Sequence, residues 1–184
     1  MLRKMKQHKV LFTDRWFDVV EVNSHVGLKN KHMSVGVLPY QTDENGLITH
    51  IGLLNELNYF REKDYCDTLI TGTIEHEDDS LLLTAIRELA EEGGFHLAED
   101  SNDRWLFLGP IYLYKNSDQM IPVFAVDVTG LEQKESEGDG SEKEKLSSLK
   151  MVDVGNGLSC DEALVLASFL RLFNYMYAKS MNYV

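Results

Sequence analysis

Residues 72–95 read GTIEHEDDSLLLTAIRELAEEGGF, and the reading of RELAEEGGF at the end of that run decides the fold. On a helix Glu88 and Glu92 stand four residues apart and Glu88 and Glu91 three apart, so three carboxylates share one face. Like charges at that spacing repel, and the helix gains nothing locally by grouping them. A hard divalent cation removes the penalty, because Mg²⁺ takes oxygen ligands and bridges to substrate phosphates. Arg87 lies four residues before Glu91 and is placed to hold that carboxylate by a charge-assisted hydrogen bond. Leu82, Ala85, Ile86 and Leu89 supply an apolar stripe for the core. Ser80 or Asp79 is the expected cap at the start, and Gly93-Gly94 the expected stop. The plainer alternative for any chance cluster of glutamates is a solvated acidic helix.

The arrangement is more specific than such a cluster. It resembles the Nudix box, G-x5-E-x7-R-E-U-x-E-E-x-G-U, where U is aliphatic or aromatic. Arg87, Glu88, Leu89, Glu91, Glu92, Gly94 and Phe95 match its second half position for position. Gly72 matches the opening glycine but lies one residue too early, as if the loop from His76 to Asp79 carried an insertion. Where the pattern has a glutamate before the helix, this chain has an aspartate, Asp78 or Asp79.

Composition agrees with a globular protein. The 184 residues are enough for one sizeable core, and 43% hydrophobic with 26% charged residues is ordinary for a soluble chain. A net charge of −12 argues against a nucleic-acid-binding surface, which needs clustered Lys and Arg. It also means that a phosphorylated substrate must be received by metal ions and a few local cations. Cys66 and Cys160 match no metal spacing, and read as unpaired thiols in a reducing cytosol. No stretch has the length and apolarity of a membrane span. MLRKMKQHKV lacks the apolar core of a signal peptide, so the expected location is cytoplasmic and no membrane partner is expected.

Along the chain, residues 8–23 read as one or two strands, His32–Tyr40 as a core strand, and Leu47–Leu57 as its partner after the turn TDENG. Asp67–Thr71 lead into a loop at Gly72, and a helix from about Ser80 to Gly93 follows. Trp105–Tyr114 and Met120–Val128 read as two strands joined by KNSDQ. Residues 131–145 are acidic and nearly free of apolar side chains, a loop by composition. Leu149–Val154 closes the strands, and Asp161–Tyr177 is an apolar-rich helix that must pack on the sheet. The fold class is α/β.

The resemblance implies a Nudix-type α/β/α sandwich with a mixed β-sheet, preceded by short N-terminal strands. It treats 1–184 as one domain, with a strand arm at 1–30 and the core at 31–184. The likeness is nearest to the ADP-ribose pyrophosphatase branch. It implies a Mg²⁺-dependent pyrophosphohydrolase, with Mn²⁺ as a possible substitute, and Glu88, Glu91 and Glu92 as metal ligands. Arg87 would position Glu91, and Gly72 would let the backbone approach the helix. Tyr59, Phe60 and Arg61 would receive part of the substrate, and Glu142 or Glu144 in the acidic loop would compete with a box glutamate for the role of base. Where the branch often carries a glutamate around 117–121, Asp118 and Gln119 stand here. The expected substrate is a nucleoside diphosphate linked to another group, with ADP-ribose first and a homodimer built through the arm. The alternatives are nucleotide sugars, dinucleoside polyphosphates, inositol pyrophosphates, or a nucleotide-sensing module without turnover.

Overall fold

The computed structural model describes residues 8–58, 65–76, 78–97, 101–136 and 147–181. Its elements are β1 (Lys9–Thr13), β2 (Phe17–Val22), β3 (His25–Asn30), β4 (Ser34–Thr42), β5 (Ile48–Leu57), β6 (Tyr65–Thr68), β7 (Ile70–Thr73), α1 (Leu81–Glu91), β8 (Trp105–Tyr112), β9 (Met120–Asp127), β10 (Ser148–Asp153), α2 (Val154–Gly157) and α3 (Ala163–Ser180). The α/β class, the mixed sheet and the separate N-terminal strands are as the sequence implies.

β4 is the centre. It runs parallel to β9 on one side, Gly36 opposite Val123 and Tyr40 opposite Asp127. On its other side it pairs antiparallel with β5 near Tyr40 and with β7 near Val35. β6 and β7 therefore form one nearly continuous run that fills the gap where β4 and β5 part, β6 on β5 and β7 on β4. β10 and β8 are the outer strands of the sheet. A sheet covered on both faces needs apolar residues at successive positions, and β4 and β9 have them. Val35, Val37, Phe124 and Val126 face α1, together with Ala85, Leu89 and Phe95. Leu38, Tyr40, Val123 and Ala125 face α3, together with Leu164, Val165, Phe169 and Leu172. Arg171 of α3 donates to the carbonyls of Leu108 and Pro110 at 3.0 and 2.9 Å, which occupies part of β8.

Three details differ from the sequence reading. The N-terminal region has a third strand, β3, and the tight β2–β3 turn places Asn23 and Ser24 at φ 51° and 66°. Polar residues tolerate that backbone, but they gave no glycine signal to read. The residues from Tyr65 to Thr73 are strands, so Gly72 lies in β7 and not in a loop. In α1 the buried residues are Thr84, Ala85, Glu88 and Leu89, so Leu82, which is part-buried, and Ile86 are not in the fully buried stripe.

The N-terminal sheet docks on the turn between β8 and β9. Leu28 N donates to Asn116 O at 2.9 Å, Asp118 N to Leu28 O at 3.2 Å, and Asn30 N to Asp118 Oδ1 at 2.8 Å. Asp118 thus serves as an anchor for the arm. No helix among the described residues is long and apolar enough to cross a membrane.

Candidate active site

The start of α1 is set by Ser80, whose side chain accepts from Leu83 N at 3.2 Å and satisfies one of the free N–H groups of the first turn. Its end is set by Gly94 at φ 70°. A side chain there would meet strain from the backbone and contact Lys134 O at 2.1 Å. Between these ends the helix carries Arg87, Glu88 and Glu91, with Glu92 as its C-cap, and Arg87 and Glu88 reach β7.

Gly72 explains why a glycine opens the run. A Cβ built on it would lie 1.7 Å from Oε1 of Glu88, so any other side chain would occupy the space of that carboxylate. Glu88 is buried, and it sits in the cradle that the missing Cβ leaves. The role foreseen for Gly72, a close backbone approach, is therefore filled by a protein carboxylate.

Arg87 is the hub. Its Nη1 donates to Glu88 Oε1 at 2.8 Å and to Glu91 Oε2 at 3.0 Å, and its Nη2 donates to Asp78 Oδ2 at 3.1 Å and to Thr73 O at 3.0 Å. Glu75 Oε1 lies 4.0 Å from Nη1. One guanidinium thus ties the helix to β7 and to the loop between them. Burial pulls the pKa of Arg87 down, but hydrogen bonds and charge from Asp78, Glu88 and Glu91 outweigh it and raise the value. The sequence left Asp78 and Asp79 as alternatives, and the structure selects Asp78. It accepts from Glu75 N at 3.0 Å, from Thr84 Oγ1 at 2.9 Å and from Arg87. Burial pushes its carboxyl pKa up, while those donors and the Arg87 charge more than offset this and hold it below the ordinary 3.8. Asp78 keeps the spacing to Gly72 that the Nudix pattern has, so the extra residue lies between Asp78 and Arg87.

Thr84 was missed by sequence reasoning. It looked like a polar residue in the helix, yet it is fully buried and its hydroxyl serves Asp78. Tyr59, Phe60, Arg61, Glu142 and Glu144 lie outside the described residues.

As a metal site the donor set is all oxygen, which suits a hard cation. The Gly72 cradle holds Glu88 in place beside Glu91 and Glu92 on the same helix face. Among the described residues no three acidic, His or Cys groups already meet at one point. The Arg87 guanidinium stands between Glu88 and Glu91 and supplies the counter-charge there. The residues fit a divalent cation by donor chemistry and by the cradle.

Two clefts lie beside the N-terminal sheet. One of about 520 Å³ lies between β2–β3 and the β8–β9 turn, and its lining includes His25, Lys29 and Lys115. The other, about 200 Å³, runs from Asn30 to Ser34 and shares Asp118 with the first. It reaches Ser34, which pairs with Thr73, the residue whose carbonyl takes the Arg87 hydrogen bond.

No protein-family model matches the chain, and no curated protein sequence does. Solved structures match its fold. An ADP compounds hydrolase aligns at a TM-score of 0.63 and 18% identity, over 97% of this chain and 95% of that one. A mutT/nudix family protein from Listeria innocua aligns at 0.56 and 15%, over 82% and 97%. A Nudix hydrolase from M. smegmatis aligns at 0.50 and 12%, over 80% and 87%. The chain therefore has the Nudix hydrolase fold, and the box read in the sequence falls on its β7–α1 unit.

Proposed function

We propose that this chain is a metal-dependent hydrolase that cuts the pyrophosphate of a nucleoside diphosphate linked to a second group. ADP-ribose, giving AMP and ribose 5-phosphate, is the first candidate. The observation that carries the reading is the Gly72–Glu88 cradle locked by Arg87, because it fixes a buried carboxylate beside the part-buried Glu91 and Glu92 of the same helix face. Glu88, Glu91 and Glu92 would hold Mg²⁺, or Mn²⁺ in its place, which when bound neutralises the diphosphate and activates a water. Arg87 is a positioning residue. It orients Glu88 and Glu91 and neutralises part of the helix's own repulsion. The proton from water would go to a box carboxylate, or to Glu142 or Glu144 of the acidic loop.

Support for the branch comes from the N-terminal sheet. The 97% coverage by the ADP compounds hydrolase takes in that sheet along with the sandwich. The cleft lysines Lys29 and Lys115 would offer positive charge to an anionic substrate group in an otherwise acidic protein. The deciding experiment incubates the protein with Mg²⁺ and ADP-ribose, NAD, nucleotide sugars, diadenosine polyphosphates, inositol pyrophosphates or nucleoside triphosphates, and identifies the products. AMP with ribose 5-phosphate supports the reading. The absence of hydrolysis of every compound would reject it and favour a sensing module.

A further inference from the structure

α3 buries one face in the sheet and leaves the other bare. Leu164, Val165, Phe169 and Leu172 pack inward. On the outer side Ala163, Leu166, Leu170, Phe173 and Tyr177 are all exposed, with Leu170 at 65%, Phe173 at 54% and Tyr177 at 56%. Their spacings are three, four, three and four residues, the a/d repeat that one helix presents to another. No described element covers this seam.

We propose that it is the contact between two copies of this chain, α3 packed antiparallel on α3 about a two-fold axis at Leu170. The register follows from the residues. With Leu170 opposite its own copy, Ala163 faces Tyr177 and Leu166 comes within one residue of facing Phe173, so small meets large and the apolar rows match. The same register sets Asp161, just before the helix, opposite Lys179 near its end, at both ends of the pair. Parallel packing would put like charges together instead. Between Ala163 and Met181 there is no acidic residue, although the chain as a whole carries −12. Two copies that repel elsewhere meet least repulsion here. The same net charge disfavours the other candidate occupant, an anionic lipid surface. A single helix pair falls below the roughly 800 Å² per partner of a standard interface, so dissociation constants on the order of micromolar are expected.

The contact is independent of the arm and of the hydrolase reading. Sedimentation velocity of the full chain across the micromolar range tests it. Leu170→Glu is expected to halve the mass of the wild-type assembly with unchanged far-UV circular dichroism, since the side chain is exposed. Asp161→Lys is expected to raise the dissociation constant roughly tenfold, and Asp161→Lys with Lys179→Glu to restore it to within about twofold, from two ion pairs of the kind seen on surfaces. Equal masses for wild type and Leu170→Glu would overturn the contact, and failure of the double charge exchange to restore it would overturn the register. Both exchanged residues lie on the surface, so this arm holds even if Leu170→Glu misfolds. Vesicles of phosphatidylserine and phosphatidylcholine should not pellet the protein. Pelleting that Leu170→Glu abolishes, with no change in mass, would give the face to a membrane.

Discussion

Asp78 and Arg87 are joined across the loop that precedes α1, Oδ2 to Nη2 at 3.1 Å, and this pair fixes the loop to the helix. Because Thr84 and Glu75 N also donate to Asp78, the carboxylate is shared by three points of the unit. An aspartate here reaches its partners with one methylene fewer than glutamate, and the added residue lies between Asp78 and Arg87.

Asp78→Asn is therefore expected to lower stability by about 1–3 kcal/mol at neutral pH, since a charged acceptor is lost while its donors stay. The folded-state pKa is depressed, so the contribution is present above the unfolded value of 3.8 and disappears as pH falls through the lower folded value. Urea unfolding of both proteins should show a constant gap at neutral pH that closes only below 3.8. A gap that closes nearer pH 6 would assign the effect to another group.

Gly72→Ala places a methyl group where Oε1 of Glu88 sits, at 1.7 Å. The carboxylate must leave its cradle, and Arg87 loses the partner at 2.8 Å. The metal requirement is expected to rise about 10–100-fold, the range for losing a group that orients a ligand. Activity against Mg²⁺ concentration, with calorimetric Mg²⁺ binding as the second readout, checks this. An unchanged metal dependence would show that Glu88 needs no cradle.

Glu92→Gln is expected to abolish hydrolysis, by roughly 100-fold or more, in a protein that remains folded. Removing one of three grouped carboxylates also relieves repulsion along α1, so the melting temperature should hold or rise. Near-normal turnover at saturating Mg²⁺ in a folded variant would take Glu92 out of the ligand set.

What the sequence revealed follows from the range of each interaction. The i, i+3 and i+4 neighbours on α1 are local, so Arg87–Glu91 and the shared carboxylate face were legible before any coordinates. A cap at Ser80 or Asp79, of which the structure uses Ser80, and the glycine stop were legible for the same reason. The Gly72–Glu88 contact joins a strand to a helix, and no spacing rule foretells that a missing Cβ will house a carboxylate sixteen residues away. β6 and β7 were also hidden. Each is four residues long and takes its partner from a different strand, so neither shows a long alternating pattern. The choice of Asp78 over Asp79 needed the position of Thr84, which only folding supplies.

The substrate is the remaining prediction, and the clefts give it a physical test. If the group beyond the diphosphate lies along the N-terminal sheet, the cleft lysines bind it equally in ground and transition states. Lys115 lines that cleft and is not among the box residues that would bind metal. Lys115→Ala should then raise KM for ADP-ribose about tenfold and leave kcat within about twofold, the pattern of lost uniform binding. A nucleoside triphosphate, lacking the second group, should be insensitive to the change and turn over more slowly than ADP-ribose. Lowered kcat with unchanged KM would place Lys115 at the reacting centre. Equal kcat/KM for ADP-ribose and a nucleoside triphosphate would reject the ADP-ribose assignment while leaving the Nudix fold and the reading of α1 as a metal-binding helix untouched.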